Sequence, residues 1–338
     1  MIITAGGKPR AMRALGFFAA WAVCSLSACR ATAPAPSDGP SSTWAFAAPW
    51  DPRSDSSLRK NAPRLDAVIT GWIQLDSLTG APSRIYPDDP SRLPDGARRL
   101  ALLTSWHGQR FHPEMVRRIA ADRNAIAHLA AHVGAIVEAG GYQGIVFDLE
   151  GQSRADLSLV LRMLAAVGDS ARHRGASVVA VTLPAADTTA YPTRAFTSVA
   201  DFVVVMLYDE HWSTSAPGPI ASPAWVRRNL AQRVSDVGAN RVVAAFPLYG
   251  YLWRANQPAE PLSFDDARHA ATEAGVEIAR DPVSRSLHAI QAGSWEIWSS
   301  DAELLRALRA EAIDLGVTKI ALWRLGLEDP AVWSVVGR

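Results

Sequence analysis

Two acidic residues end an apolar stretch in the first half of the chain. Asp148 and Glu150 lie in the run 141–150, where apolar and polar positions alternate. The alternation predicts a β-strand, and residues two positions apart on a strand point the same way, with Cα atoms about 6.6 Å apart. Two carboxyl groups at that spacing raise one of the two pKa values, so a proton stays available near neutrality. The pair is a candidate general acid with a neighbouring carboxylate. The alternative is an edge strand whose acids face water.

A regular series of apolar runs predicts the scaffold that positions this pair. The runs are 44–50, 65–75, 99–106, 141–150, 177–183, 201–207, 241–248 and 319–323, with predicted helices at 55–61, 120–139, 154–174, 222–236 and 301–315. Strands that are apolar nearly throughout and alternate with helices indicate a parallel sheet buried on both faces. Eight of them predict a closed (β/α)8 TIM barrel, because a doubly wound sheet would show a Gly-rich phosphate turn near its first strand. The segment 251–300 is too long for a plain connection and predicts an inserted subdomain or lid between strands seven and eight.

The N-terminal part of the chain has the pattern of an export signal. Basic residues precede an apolar run of the length of a secretory signal, which ends in Leu26-Ser27-Ala28-Cys29. This ending resembles a lipobox, so we predict a lipoprotein signal peptide over 1–28, lipidation of Cys29, a flexible tether over 29–43 and a globular domain over 44–338. A plain cleavable signal or an uncleaved anchor is the alternative. We expect an exported protein held at the cell envelope, on the outer membrane if the host is Gram-negative, because Arg30 replaces the Asp that commonly retains lipoproteins at the inner membrane.

Aromatic and polar residues concentrate where the predicted strands end. Active sites of such barrels lie at the C-terminal ends of the strands. Flat rings stack on the C–H faces of sugars while acids and Arg bond the hydroxyl groups, so these residues predict a carbohydrate cleft. For any single Trp the alternative is core packing. The candidates are Trp50, Trp72, Tyr208, Asp209, Trp212, Tyr249, Trp323 and Arg324.

Three motifs resemble one known family. The segment from Gln143 to Glu150 resembles the D-G-x-D-x-D-x-E strand of glycoside hydrolase family 18, the chitinase-like barrels. Met206-Leu207-Tyr208-Asp209 is similar to its M-x-Y-D motif, and Trp323 is similar to the Trp beneath its scissile sugar. The resemblance covers about residues 43–336 and is nearest to the spore-germination and cell-wall-lytic branch. The chain departs from the pattern at Gln143 and Val146, which replace the first two Asp residues.

The resemblance implies a retaining hydrolysis next to N-acetylglucosamine, in which the substrate supplies the nucleophile. Glu150 would be the acid and then the base, Asp148 would orient the N-acetyl group, and Tyr208 and Asp209 would contact the same sugar. Residues expected to bind substrate are Trp323, Met206, Trp72, Trp212, Trp50, Tyr249, Arg324 and Gln143. The implied partner is a polysaccharide that contains N-acetylglucosamine: peptidoglycan, a chitin-like polymer or an exported polysaccharide.

Parts of the sequence are compatible with other functions. The replacements at Gln143 and Val146 leave open a non-catalytic, glycan-binding envelope lipoprotein. His128 and His132 are spaced i, i+4 on a predicted helix, but nothing else in the sequence indicates zinc, and no G-x-S-x-G motif occurs. We therefore expect no metal and no cofactor. The net charge of +1 gives no indication of a nucleic-acid partner.

Overall fold

The computed structural model describes residues 41–86 and 97–336. Cys29 and the predicted signal peptide lie outside the described residues, as does the predicted tether up to residue 40. Eight parallel strands close into a barrel: β1 (Ser42–Phe46), β2 (Ala67–Leu75), β3 (Arg98–Thr104), β4 (Gly144–Asp148), β5 (Val178–Pro184), β6 (Phe202–Met206), β7 (Val242–Pro247) and β8 (Lys319–Trp323). Each strand pairs with the next in the chain, and β1 pairs with both β2 and β8. The predicted TIM barrel is confirmed.

The strands form because their side chains are apolar on both faces. One set, which includes Trp44, Ile69, Leu102 and Val146, fills the barrel interior. The other set packs against the surrounding helices, as Phe147 does. Burial on both faces is what the nearly continuous apolar runs predicted.

Helices surround the barrel between the strands. They are α1 (Pro52–Asn61), α2 (Pro113–Ala121), α3 (Arg123–Gly140), α4 (Leu157–His173), α5 (Thr193–Phe196), α6 (Pro223–Val237), α7 (Phe264–Glu273) and α8 (Ala302–Asp314). The helix predicted at 120–139 is preceded by a separate helix, because Asp122 leaves the helical conformation and caps α3 by accepting the Asn124 and Ala125 amides. Within the described ranges, no helix is both long and apolar enough to cross a membrane.

The insertion between β7 and β8 contains its own sheet. Five antiparallel strands lie in the order Glu260–Leu262, Gly250–Arg254, Trp295–Ser299, Leu287–Gln291 and Ala279–Arg280. Helix α7 begins at a capping box in which the Ser263 hydroxyl and the Asp266 carboxylate satisfy each other's backbone amides. Leu252 and Ile297 of the sheet pack against Ala267 and Ala271 of α7, so the insertion has a small core of its own.

Candidate active site

A cavity of about 420 Å³ opens at the C-terminal ends of the barrel strands. Its walls combine three carboxyl groups with a majority of aromatic rings, which is the composition of a sugar-binding pocket. The lining residues are Phe46, Trp50, Trp72, Thr104, Trp106, Phe111, Asp148, Glu150, Thr182, Met206, Tyr208, Asp209 and Trp323. Eight of the twelve catalytic and substrate-binding candidates taken from the sequence lie in this wall.

Asp148 is fixed by the sheet and by two hydroxyl groups. It is the last residue of β4 and pairs in register with Thr104 of β3. Its Oδ1 accepts a hydrogen bond from the Thr182 hydroxyl at 2.8 Å, and its Oδ2 accepts one from the Thr104 hydroxyl at 3.3 Å. Burial raises the pKa of Asp148 to about 6, against the opposing effect of the two threonines. The carboxyl therefore has a fixed direction and still exchanges its proton in the physiological range.

Glu150 keeps its proton beyond neutrality. Burial raises its pKa to about 8, and the nearby charges of Asp148 and Asp209 act in the same direction. The sequence predicted a raised pKa from the spacing of the two acids. In the structure burial contributes most, and the neighbouring charges come second. A protonated carboxylic acid in a cavity is equipped to donate to a leaving group.

Val146 and Gln143 occupy the positions where the chain departs from the family motif. Val146 is fully buried and packs inside the barrel below Asp148, among apolar side chains. The assignment of Gln143 to substrate binding is wrong. Gln143 precedes β4 by one residue, about 16 Å along the chain from Asp148, and its Oε1 accepts a hydrogen bond from the Arg99 amide at 2.8 Å. It secures the N-terminal end of the barrel, opposite the cavity.

Tyr208 and Trp323 form the flat part of the cavity wall. Their rings are stacked, with centroids 6.2 Å apart and planes 13° apart. Phe46 supports Trp323 edge to face at 5.1 Å. Burial raises the pKa of the Tyr208 hydroxyl far above its ordinary value, so Tyr208 is a hydrogen-bond donor at every physiological pH.

Two tyrosines, Tyr249 and Tyr251, lie beside the carboxylate of Asp209. Burial raises the pKa of Asp209, and it outweighs the opposite effect of the hydrogen bond that Tyr249 donates to the carboxylate and of the nearby Tyr251 hydroxyl. The sequence assigned Tyr249 to substrate binding, and the structure corrects that assignment. Tyr249 is buried and lies outside the cavity wall, because its hydroxyl is engaged with Asp209.

Trp212 and Arg324 also lie outside the cavity wall, and their assignment to substrate binding stays a prediction. Trp212 is 51% exposed, and its indole donates to the Thr214 hydroxyl on the same loop at 2.9 Å. Arg324 is held by an ion pair with Asp51 at 3.0 Å and lies 5.8 Å from the ring of Trp50. The arginine therefore supports Trp50 from behind.

Five wall residues have no individual role assigned from the sequence, although Trp106 is one of the strand-end aromatic residues that predict the cleft: Phe46, Thr104, Trp106, Phe111 and Thr182. Thr104 and Thr182 donate hydrogen bonds to Asp148. The ring of Trp106 packs edge to face on that of Phe111, with centroids 5.1 Å apart. The signal for the threonines was their position at the ends of strands three and five, next to the strand that carries Asp148. Phe111 carried no signal, because it lies on a short two-residue strand outside the barrel repeat.

Comparison with known proteins supports the resemblance found in the motifs. No family model matches the chain. The chain is 24% identical over 255 residues to the cortical fragment-lytic enzyme of Bacillus subtilis, covering 70% of this chain and 59% of that protein. It is 21% identical over 311 residues to the uncharacterized glycosylase YvbX of Bacillus subtilis, covering 85% and 88%. The chain spans only 38% and 59% of the length of the first two curated relatives it matches.

Solved structures share the fold. The spore cortex-lytic enzyme SleL of Bacillus megaterium superposes with a TM-score of 0.78 at 19% identity, over 88% of this chain and 73% of that one. A chitinase from Chromobacterium violaceum gives 0.76 at 20% identity, over 88% and 98%. A mutant family 18 chitinase from Cycas revoluta, in complex with a tetramer of N-acetylglucosamine, gives 0.70 at 16% identity, over 87% and 98%. The predicted resemblance to chitinase-like and cortex-lytic proteins is confirmed, and the predicted enzyme class agrees with all of these names.

Proposed function

We propose that this protein is a retaining glycosidase that cleaves bonds next to N-acetylglucosamine with the help of the substrate's own acetamido group. One observation carries the proposal: Glu150, an acid that keeps its proton above neutrality, shares an aromatic cavity with Asp148 and the stacked pair of Tyr208 and Trp323. The cavity supplies a flat surface for a sugar ring, an acid for the leaving oxygen and a second carboxyl group for the acetamido group.

In the first step the acetamido group acts as the nucleophile. Asp148 accepts a hydrogen bond from the acetamido N–H, so the carbonyl oxygen turns toward C1 and attacks it. Glu150 gives its proton to the glycosidic oxygen as the bond between that oxygen and C1 breaks. The sugar becomes an oxazolinium ion, and the negative charge of Asp148 stabilises it. The hydroxyl of Tyr208 donates to the acetamido oxygen.

In the second step water hydrolyses the oxazolinium ion. Glu150, now ionised, removes a proton from a water molecule, and the oxygen of that water attacks C1 and displaces the acetamido oxygen. The product keeps the original anomeric configuration, and Glu150 regains its proton. Trp323 lies under the ring throughout, and Asp209 bonds the same sugar.

The names of the relatives support the choice of polymer. Cortical fragment-lytic and spore cortex-lytic enzymes favour peptidoglycan, and the chitinases, one of them bound to an N-acetylglucosamine tetramer, favour recognition of this sugar. We infer that the substrate is a polysaccharide that contains N-acetylglucosamine, with peptidoglycan as the first to be tested.

The proposed location follows from the sequence around Cys29. A single acyl chain binds membranes only marginally, whereas a multiply acylated cysteine anchors a protein stably. We propose that lipidation of Cys29 holds the barrel at the cell envelope. Cys29→Ala is expected to move the protein from the membrane fraction to the soluble exported fraction and to abolish incorporation of labelled fatty acid. A membrane-bound, unlabelled Cys29→Ala variant would contradict this.

Product analysis tests the activity. The protein is incubated with N-acetylglucosamine oligomers and with purified peptidoglycan, and new reducing ends are identified by mass spectrometry. Wild type is expected to release them, and Glu150→Gln is expected to bind the same oligomers without turnover. Binding without turnover by the wild type would favour the non-catalytic glycan-binding alternative.

A further inference from the structure

The backbone position of Glu150 is not set by the barrel. Strand β4 ends at Asp148, which pairs with Thr104, and no further pairing holds the chain beyond it. Gly151 then turns the chain with a φ of 75°, a conformation that residues with a Cβ rarely adopt. The acid therefore stands on a loop, where another part of the molecule must fix its direction.

The hydroxyl of Tyr191 bonds the backbone on both sides of Glu150. It donates to the Leu149 carbonyl at 3.1 Å and accepts from the Gln152 amide at 2.8 Å. The side chain of Gln152 donates in turn to the Glu150 carbonyl at 3.2 Å. Tyr191 is 3% exposed, and its ring stacks on Phe196 with centroids 5.8 Å apart. One buried hydroxyl group thus ties the 149–150 peptide group to the 151–152 peptide group, one on each side of the acid.

A buried arginine holds the loop that carries Tyr191. Arg233 of α6 is fully buried, and its guanidinium donates to the Tyr191 carbonyl at 2.5 Å and to the Thr193 hydroxyl at 3.2 Å. It also donates to the carbonyls of Pro184 and Asp187, at 2.5 and 2.9 Å. A buried charge costs several kcal/mol unless such bonds compensate it. The planar group bonds both ends of the loop that follows β5.

We propose that Arg233 and Tyr191 are positioning residues that hold the 149–152 loop so that the Glu150 carboxyl faces the glycosidic oxygen. Neither residue lines the cavity: Arg233 is fully buried, and Tyr191 is only 3% exposed. The inference rests on the proposed hydrolysis. A displacement of about 1 Å at a reacting group costs on the order of 100-fold in rate, so losing this brace should slow the chemical step while sugar binding continues.

Tyr191→Phe is the decisive variant. It keeps the ring and its stacking on Phe196 and removes both hydrogen bonds to the 149–152 loop. We expect kcat to fall about 10- to 100-fold with KM changed less than about threefold, a split that a general loss of structure would not give. Tyr142→Phe is the matched control, because Tyr142 is equally buried and lies beside Arg99 at the opposite end of the barrel. Its kcat should equal that of wild type.

Arg233→Lys gives a second, independent test. Lysine keeps a positive charge but lacks the fork that bonds two ends of the loop. The same kcat decrease with a stable KM is expected. If this variant does not fold, Tyr191→Phe decides the question.

Amide hydrogen exchange provides a readout that does not depend on turnover. The Gln152 amide should exchange at least about tenfold faster in Tyr191→Phe than in wild type, and at the wild-type rate in Tyr142→Phe. Full activity and unchanged exchange in Tyr191→Phe, beside an inactive Glu150→Gln, would overturn the positioning role and leave the hydrolase intact. A wild-type protein without turnover would overturn the proposed function and this inference together.

Discussion

Glu150→Gln should make the protein more stable, and increasingly so as the pH rises. The change keeps the shape of the side chain and removes its ability to ionise. In the folded protein the pKa of Glu150 is raised from 4.5 to about 8 by burial and by the neighbouring acids. The folded state therefore holds a proton that the unfolded chain releases between those values. Stability contributed by Glu150 is present below pH 4.5 and is lost as the pH rises to about 8.

The raised pKa sets the size of the effect. Each pKa unit is worth about 1.4 kcal/mol, so ionisation of the half-buried Glu150 costs up to about 5 kcal/mol of unfolding free energy above pH 8. Glutamine avoids that cost at a position where a carboxylate is buried beside Asp148 and Asp209. We expect Glu150→Gln to be more stable than wild type by about 3 to 5 kcal/mol at pH 9, and to differ by less than about 1 kcal/mol at pH 4.

Chemical denaturation followed by circular dichroism at pH 4, 7 and 9 measures this difference. Glu277→Gln is the matched control, because Glu277 is exposed in the insertion and its substitution should change stability by less than about 0.5 kcal/mol at each pH. If the unfolding free energies of Glu150→Gln and wild type differ by the same amount from pH 4 to pH 9, Glu150 does not have a raised pKa. The assignment of the catalytic acid would then fail with it.

The remaining predictions concern activity. The plot of kcat/KM against pH should be bell-shaped. It should fall below about pH 6, where the pair of Asp148 and Glu150 takes up a second proton, and above about pH 8, where Glu150 ionises. A flat profile from pH 5 to 9 would contradict this. Thr182→Val removes the 2.8 Å hydrogen bond that favours the ionised form of Asp148, so the acid limb should move to higher pH. Thr104→Val, which removes a longer bond of 3.3 Å, should move it less. Trp50→Ala removes a ring that is 44% exposed at the cavity rim. KM for long oligomers should therefore rise about tenfold while kcat stays nearly constant. An unchanged KM would show that Trp50 is not part of the binding surface.

The barrel could be predicted from the sequence because each barrel strand is a compact apolar run. The strands of the insertion could not be predicted in the same way. The Leu287–Gln291 and Trp295–Ser299 strands are half-buried and mix polar with apolar residues, because one face of the small sheet packs on α7 and the other, which carries Trp253 and Trp298, is only partly covered. Strands of this kind give a weaker pattern than strands buried on both faces.

The errors at Gln143 and Tyr249 have different physical causes. A motif position identifies a residue but not its depth in the barrel, and Gln143 is five residues before Asp148, which lines the cavity. Tyr249 does follow strand seven, where aromatic residues bind sugars in such barrels, but its hydroxyl is engaged by Asp209. A sequence pattern cannot distinguish a ring that faces the cavity from a ring that supports an acid of the cavity wall.

The carboxyl groups of Asp148 and Glu150 depend on different parts of the fold. Asp148 is the last paired residue of β4, so the pairing of β4 with β3 sets its position, and Thr104 and Thr182 on the flanking strands set its direction. Glu150 is two residues further on and outside the sheet, so its position depends on the loop after β5. The acid can therefore be displaced without disturbing the barrel or Asp148. Substitutions beneath that loop should change the rate of proton transfer, while substitutions of the apolar strand residues should lower the stability of the fold.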